Sequence, residues 1–371
     1  MFFKTNKEAL LKPLQTCNGV VERRQAMPVL ANVLLATDRD GGLAMTATDL
    51  EVEIGARAGG DVGEAGEVTV PARKLLDIVR TLPDGGAVEM RTRDGSLEVR
   101  CGRSRFKLST LPASEFPTAE GSGEVAELMV EEALLADLLT RTQFAMAQQD
   151  VRYYLNGMLL EVEGRVLRTV ATDGHRLATA EVELGEALAG ERLQIIVPRK
   201  AVVELGRVLS RERGEDVRLA VGQQALRAEV DDLRLTTKLV DGKFPEYEAV
   251  IPVPSRCSRH AVIDRETLRQ SLSRVAILSN EKYRAVRLMF SESTLQVLAH
   301  NQEQEEAEEE IPVQLEGDTL EIGFNVTYML DALAVIRTGE VRLDLGDSNA
   351  SCLIRSAEDD GGRFVVMPMR L

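Results

Sequence analysis

The sequence predicts an α+β protein built from three tandem copies of one module of about 125 residues, and three sets of aligned landmarks carry that prediction. Val70 opens VPARKLLDIV, Val197 opens VPRKAVVELGRVL and Phe324 opens FNVTYMLDALAVI, each 127 residues after the last. Asp49 of TATDL, Asp173 of VATDGHRLA and Asn301 of LAHNQ end comparable strands at steps of 124 and 128. Phe116-Pro117, Phe244-Pro245 and Met367-Pro368 close the blocks at steps of 128 and 123. A scaffold repeated in this way argues against a single buried catalytic centre.

Each block opens with an amphipathic helical stretch, marked by Leu10, Leu11 and Leu14, then by Leu134, Leu135, Leu138 and Leu139, then by Leu268, Leu272 and Val275. Alternating strands follow. Val33-Leu34-Leu35 passes through Asp40-Gly41-Gly42 into Leu43-Ala44-Met45, and residues 158–162 turn at Glu163-Gly164 into residues 166–170. The second helix comes next, at the first landmark, and then more strands with turns such as Asp94-Gly95 and Val221-Gly222. The unit is thus helix, strands, helix, strands, itself duplicated at about 60 residues. Residues 59–67 (GGDVGEAGE) read as a loop between strands and helix. Joints fall at residues 118–124 (TAEGSGE) and 251–258 (IPVPSRCS), which sets domains at 1–122, 123–252 and 253–371.

At 371 residues, each of three domains has enough chain for its own core. That core is aliphatic, because Trp is absent and only 4% of residues are aromatic, which disfavours a platform stacking single-stranded bases. A net charge of −15 and a pI near 4.9 repel polyanions over most of the surface, so any nucleic-acid contact needs a local basic zone. Cys17, Cys101, Cys257 and Cys352 lie far apart without metal spacing. With no apolar leader and no long apolar run, the chain reads as cytoplasmic, with reduced thiols and no membrane contact.

Neither GxxxxGK[ST] nor GxGxxG is present, and no metal or cofactor is expected. Asp173 and His175 are the sharpest catalytic candidates, since such a pair can move protons. The competing reading is a strand-connecting Asp-Gly turn, because Asp-Gly recurs at 40–41, 94–95 and 241–242 without a histidine. An Asp/His hydrolase would also leave the threefold repeat unexplained. No catalytic residue is therefore expected.

Charge patterning is more informative. Arg73 and Arg80 share one helical face, as do Lys200, Arg207 and Arg211, and Arg265 and Arg269. These are either solvated faces or a basic surface that holds phosphates without reading sequence. Arg103, Arg105 and Lys107 alternate along an expected strand, with Phe106 and Leu108 on its other face. The third block carries Glu303, Glu305, Glu306, Glu308, Glu309 and Glu310. That run is either a solubilising loop or the acidic half of a head-to-tail contact between chains.

The combination VATDGHRLA, KLVDGKFPEYEAVIP, AILSNEKYRAVRL, NQEQEEAEEEI, EIGFNVTYMLDAL and VVMPMRL resembles the bacterial DNA sliding clamps, the beta subunits of DNA polymerase III, over the whole chain. The resemblance implies three clamp domains per chain, with helices lining the inside, antiparallel sheets outside and a head-to-tail dimeric ring. Twelve helices at about 9 Å spacing leave a hole of ~25 Å, loose around a duplex. The implied function is that of a replication processivity factor that encircles DNA and tethers polymerases. It implies as partners double-stranded DNA, a second copy, the DNA polymerase III core, an ATP-dependent clamp loader, and other polymerases and repair proteins carrying clamp-binding peptides. By resemblance the peptide pocket uses Leu155, Thr172, Gly174, His175, Arg176, Leu177, Pro245, Val250, Ser351, Val365, Met367, Pro368, Met369 and Arg370. DNA would meet Arg24, Gln149, Arg152, Tyr153 and Tyr154, together with Arg73, Arg80, Lys200 and Arg207. The dimer contact would use Lys74, Arg103, Arg105, Phe106, Leu108, Ile277, Leu278, Glu303, Glu305, Glu306, Glu308 and Glu309. Glu248-Ala249 stands where some members carry basic residues, which makes a less positive pocket rim the expectation.

Overall fold

Each block folds the two helices that its periodicity predicts. The computed structural model describes residues 1–22, 27–37, 41–118, 123–187, 192–358 and 360–370. Arg24, Asp40, Leu371 and most of the expected joint at 118–124 lie outside the described residues. Six α-helices occur among them: α1 (Lys7–Cys17), α2 (Ala72–Thr81), α3 (Glu132–Thr142), α4 (Arg199–Val208), α5 (Arg265–Val275) and α6 (Val326–Val335). Three begin on a side-chain cap that satisfies free N–H groups of the first turn: Asn6 accepts from Ala9 N, Asp264 from Thr267 N, and Asn325 from Thr327 N and Tyr328 N. α4 ends at Val208, so Arg211 does not continue the basic helical face expected of Lys200 and Arg207.

The chain divides into two compact units. The first comprises residues 1–135 and 203–239 and holds two antiparallel sheets. In the five-stranded sheet the order is Asp61–Glu64, Phe2–Asn6, Ala87–Arg93, Ser96–Cys101, Ser104–Ser109. The eight-stranded sheet runs Glu124–Glu131, Asp216–Gly222, Ala225–Val230, Leu233–Lys238, Val52–Gly59, Gly42–Thr48, Asn32–Thr37, Glu67–Pro71. Its central ladder, Arg234 opposite Gly55 through Thr237 opposite Val52, stitches a strand of the second block to one of the first. The physical seam between these blocks is a β-ladder, a long-range pairing on which a linker-like composition is silent.

Residues 59–67 are not the loop the glycines suggest. Asp61–Glu64 is a strand against the N-terminal strand, with Val62 opposite Phe3. A Cβ on Gly60 would lie 2.5 Å from Cζ of Phe3 and collide with the Lys4 carbonyl oxygen, and one on Gly63 would lie 2.5 Å from the Phe2 ring. The glycines are there because two aromatic rings and a neighbouring backbone take the space of a side chain.

The second unit comprises residues 136–202 and 240–371. A nine-stranded sheet runs Leu193–Pro198, Gly157–Glu163, Val166–Thr172, Arg176–Glu183, Gly362–Val366, Cys352–Ser356, Glu340–Leu345, Arg259–Asp264, Gln314–Glu316. Here too a ladder joins two sequence blocks, from Arg176 opposite Val366 to Ala180 opposite Gly362. A four-stranded sheet runs Glu306–Pro312, Thr294–His300, Ala285–Phe290, Leu320–Asn325.

Two carboxylates are buried in the nine-stranded sheet, each surrounded by donors. Glu161 accepts from Arg168 at 2.6 Å, Arg192 at 2.5 Å, Gln194 at 2.6 Å and the Tyr247 hydroxyl at 3.0 Å. Burial alone pushes its carboxyl up, but these hydrogen bonds outweigh it and hold the group below its ordinary 4.5. Asp344 is arranged alike, with His260 at 2.6 Å, Arg355 at 2.8 Å and Arg342 at 3.0 Å. Its carboxyl is also held low, against the upward push of burial.

Candidate docking site

The strands that join the second and third blocks also build a slot within the second unit. Leu177 and Val365 face each other across the joining ladder. Both pack with Leu159, Val170, Ile196, Phe244, Tyr247 and Leu353 in one apolar cluster, against which Tyr154 and Ile251 rest. Above this cluster lies a cavity of about 580 Å³, in the range that holds a few side chains of a ligand.

The wall at residues 172–176 is a tight turn held by its own polar groups. Asp173 accepts from the backbone N–H groups of His175 and Arg176 at 2.9 and 3.1 Å, and Thr172 Oγ1 donates to the Arg176 carbonyl at 2.6 Å. Gly174 has φ of +87°, and a Cβ on it would stand 3.0 Å from the Arg152 guanidinium, so both backbone and space favour glycine. This is the turn reading of Asp-Gly. The Asp173 carboxylate engages Arg176 and backbone N–H groups, not the His175 imidazole. The Asp/His acid–base pair is thereby overturned.

Arg176 works as a brace. Its guanidinium bonds Asp331 at 2.5 Å, Asp173 at 3.1 Å and the Phe144 carbonyl at 2.7 Å, and stands 4.5 Å from the Tyr328 ring centroid. Arg152 is similarly engaged, bonding Asp150 through Nε at 3.0 Å and Nη2 at 2.8 Å and donating to the Asp173 carbonyl at 3.2 Å. Chiefly through that side-chain bond, and through the Arg152 backbone N–H, the Asp150 carboxyl is held down at about 2.

The slot gathers most of the residues that the resemblance assigned to a pocket. Leu155, Thr172, Gly174, His175, Arg176, Leu177, Pro245, Val250, Ser351, Val365 and Met367 all line it. Pro368, Met369 and Arg370 do not; Met369 instead bridges to Gly323, its N–H donating to that carbonyl at 2.8 Å, and so fastens the C-terminal strand. Glu248 is also absent from the lining, its carboxylate turned to Arg192 at 2.6 Å, and Ala249 is the member of the Glu248-Ala249 pair that reaches the slot.

Sequence reasoning missed a wall formed by Pro252, Val253, Arg256 and Cys257, with Gly346 and Ala350. Residues 251–258 had read as a joint. The available signal was their run of Pro and exposed Val, which keeps apolar surface presented on short 3₁₀ turns at Tyr247–Val250 and Pro254–Arg256.

The other candidates fall into separate places. Of the four DNA candidates at 149–154, Gln149, Arg152 and Tyr153 are exposed, Arg152 also lining the slot, and Tyr154 packs on the cluster beneath it. Arg73 and Arg80 are exposed on α2, Arg73 donating to the Val21 carbonyl at 3.1 Å. On α4, Lys200 is half-buried and Arg207 bonds Glu204 at 2.5 Å. On α5, Arg269 bonds Glu266 at 2.6 Å.

Ser104–Ser109 is an edge strand of the five-stranded sheet, with Arg105 exposed and Phe106 and Leu108 turned inward. Arg103 belongs to the preceding turn, not to the strand, because the hairpin reverses at Gly102, whose φ is +56°. Lys74 is exposed on α2. Glu306–Pro312 is an edge strand of the four-stranded sheet, and Glu306 and Glu308 are exposed on it. Glu309 is taken by Arg274 at 2.8 Å, Glu305 by Asn301 at 2.6 Å, and Glu303 lies in the preceding turn. Ile277 is 76% exposed beside the half-buried Leu278.

Repeated helix-and-sheet modules fused by β-ladders, with an apolar slot at one such seam, define a scaffold that works by docking. Sequence profiles of the N-terminal, central and C-terminal domains of the DNA polymerase III beta subunit match residues 1–120, 129–246 and 250–370. Beta sliding clamps from Pseudomonas aeruginosa and Escherichia coli K12 are 52% and 47% identical over the full length of both chains. A crystal structure of a Pseudomonas aeruginosa sliding clamp bound to griselimycin superposes with a TM-score of 0.96 at 52% identity, covering all of both chains. The chain belongs to the DNA polymerase III beta subunit family, the beta sliding clamps, which serve DNA replication as non-catalytic processivity factors.

Proposed function

We propose that two copies of this chain close head to tail around duplex DNA, in the cytoplasm, and that the slot docks short peptides of the replication machinery. The domains are those at 1–122, 123–252 and 253–371, a division supported by the three family matches. The observation that carries docking is the slot itself: an apolar floor, braced polar walls, and exposed Val250 and Met367 at its rim. A short linear peptide needs anchors of that kind in a preformed pocket. The occupants are peptides of the polymerase III core, of an ATP-dependent clamp loader, and of other polymerases and repair proteins. No described helix is long and apolar enough to cross a membrane.

Two edge strands support the dimer. One carries Arg105 and Lys107 beside Arg103, the other exposed Glu306, Glu308 and Glu310, so basic and acidic edges are available to pair between chains. Arg103→Glu is the cleaner charge reversal, because Arg105 already bonds Glu98 at 2.6 Å within its own sheet. The reversal is expected to raise the dimer dissociation constant about tenfold, more at low salt, by sedimentation velocity. An unchanged constant removes electrostatics from the interface. The test of encirclement is retention on loaded circular DNA and release once that DNA is linearised; equal retention on both forms would overturn it.

A further inference from the structure

Three arginines line the slot, and they are not equivalent. Arg176 is consumed by Asp173, Asp331 and the Phe144 carbonyl, and Arg152 by Asp150 and the Asp173 carbonyl. Arg256 also lines the slot, yet among the described residues no carboxylate, carbonyl or ring engages its guanidinium. It stands on the 3₁₀ turn Pro254–Arg256, its backbone N–H bonded to the Val253 carbonyl at 2.8 Å, so the stem rises from a fixed point. The lining also includes Val253, Cys257, Gly346, Ala350 and Ser351, none of which carries an anion. The one carboxylate in the lining, Glu246, belongs to the 245–250 segment and lies 3.3 Å from Lys243.

We propose that Arg256 is a specificity-determining residue of the slot, selecting peptides that place a carboxylate beside the apolar residues docked in it. The inference rests on the docking reading. An unengaged guanidinium offers a planar pair of donors that match a carboxylate, and it loses no internal partner in doing so. Arg152 and Arg176 already have their charge matched, by Asp150 and by Asp173 and Asp331, so a further carboxylate gains less beside them. The slot therefore distinguishes acidic from neutral peptides most strongly at the position that reaches Arg256.

The test uses the full-length protein and synthetic nonapeptides with a central Leu-Phe pair, in which one Asp or one Asn is walked through the other positions. Fluorescence anisotropy measures binding to the unmodified protein, Arg256→Ala and Arg256→Glu, with griselimycin competition reporting that the slot is intact. At one position or two adjacent ones, Asp is expected to bind roughly three- to fivefold tighter than Asn, the size of an exposed ion pair. That ratio falls to one in Arg256→Ala and inverts in Arg256→Glu, and it shrinks as salt rises. Equal binding of Asp and Asn at every position, or a preference that survives Arg256→Ala, overturns the assignment. If neither griselimycin nor any peptide binds the unmodified protein, the docking reading falls, and this inference with it.

Discussion

Val250→Asp is expected to weaken peptide docking by about 2–3 kcal/mol, roughly 30- to 150-fold in Kd, while leaving the melting temperature unchanged. Val250 is 56% exposed, sits at the end of the 3₁₀ turn Tyr247–Val250 and lines the slot, so it contributes little to the fold. A docked peptide would cover it, and a carboxylate there would have to be desolvated against the apolar floor of Leu177, Phe244 and Val365. Anisotropy with a labelled peptide reads the affinity, and calorimetric melting shows whether the fold is intact. Undiminished affinity would place peptide docking elsewhere on the molecule.

The second large effect concerns stability. Glu161→Ala removes the shared acceptor of Arg168, Arg192, Gln194 and the Tyr247 hydroxyl, while Arg168 keeps Glu181 and Arg192 keeps Glu248, so it is expected to cost about 2–3 kcal/mol, the loss of buried hydrogen bonds to a charged group. Glu161→Gln should cost less, since it keeps the shape and part of the hydrogen bonding. The pH dependence has a definite sign. Because the folded-state carboxyl of Glu161 is held below its ordinary 4.5, its contribution is present above that value and is lost as pH falls through the lower folded value. Melting temperature followed from pH 7 into the acid range should therefore fall on the acid side, and fall less in Glu161→Gln. An acid limb of identical steepness in the two proteins would show that Glu161 does not govern it. The loss should reach the slot as well, because Tyr247 holds the buried end of its lining turn through Glu161.

The helices, most hairpins and the Asp-Gly turn at 173–174 were legible because each depends on residues a few positions apart. Helical spacing of Leu10 and Leu14, or of Leu268 and Leu272, survives in any context that buries one face. The failures all involve distant partners. Residues 59–67 looked like a loop until the Phe2 and Phe3 rings were seen to occupy the side-chain space of Gly63 and Gly60. That the Glu248 carboxylate bonds Arg192, 56 residues earlier, is equally invisible in the order of residues. Arg152, a DNA candidate by resemblance, also lines the slot and donates to the Asp173 carbonyl, a contact that sequence order does not show.

By itself the sequence determined the threefold repeat, the helix-and-sheet module and, through VATDGHRLA and VVMPMRL, the family, since periodicity and motif are properties of the chain in order. Tertiary structure alone decided where the blocks meet and which charges remain available. The seams are ladders between strands far apart in sequence, Leu233–Lys238 with Val52–Gly59 and Arg176–Glu183 with Gly362–Val366. A charge is spent or free according to what lies within about 3 Å of it, a distance that composition does not encode. Three arginines lining one slot are alike as letters, and only the fold leaves Arg256 unengaged among the described residues.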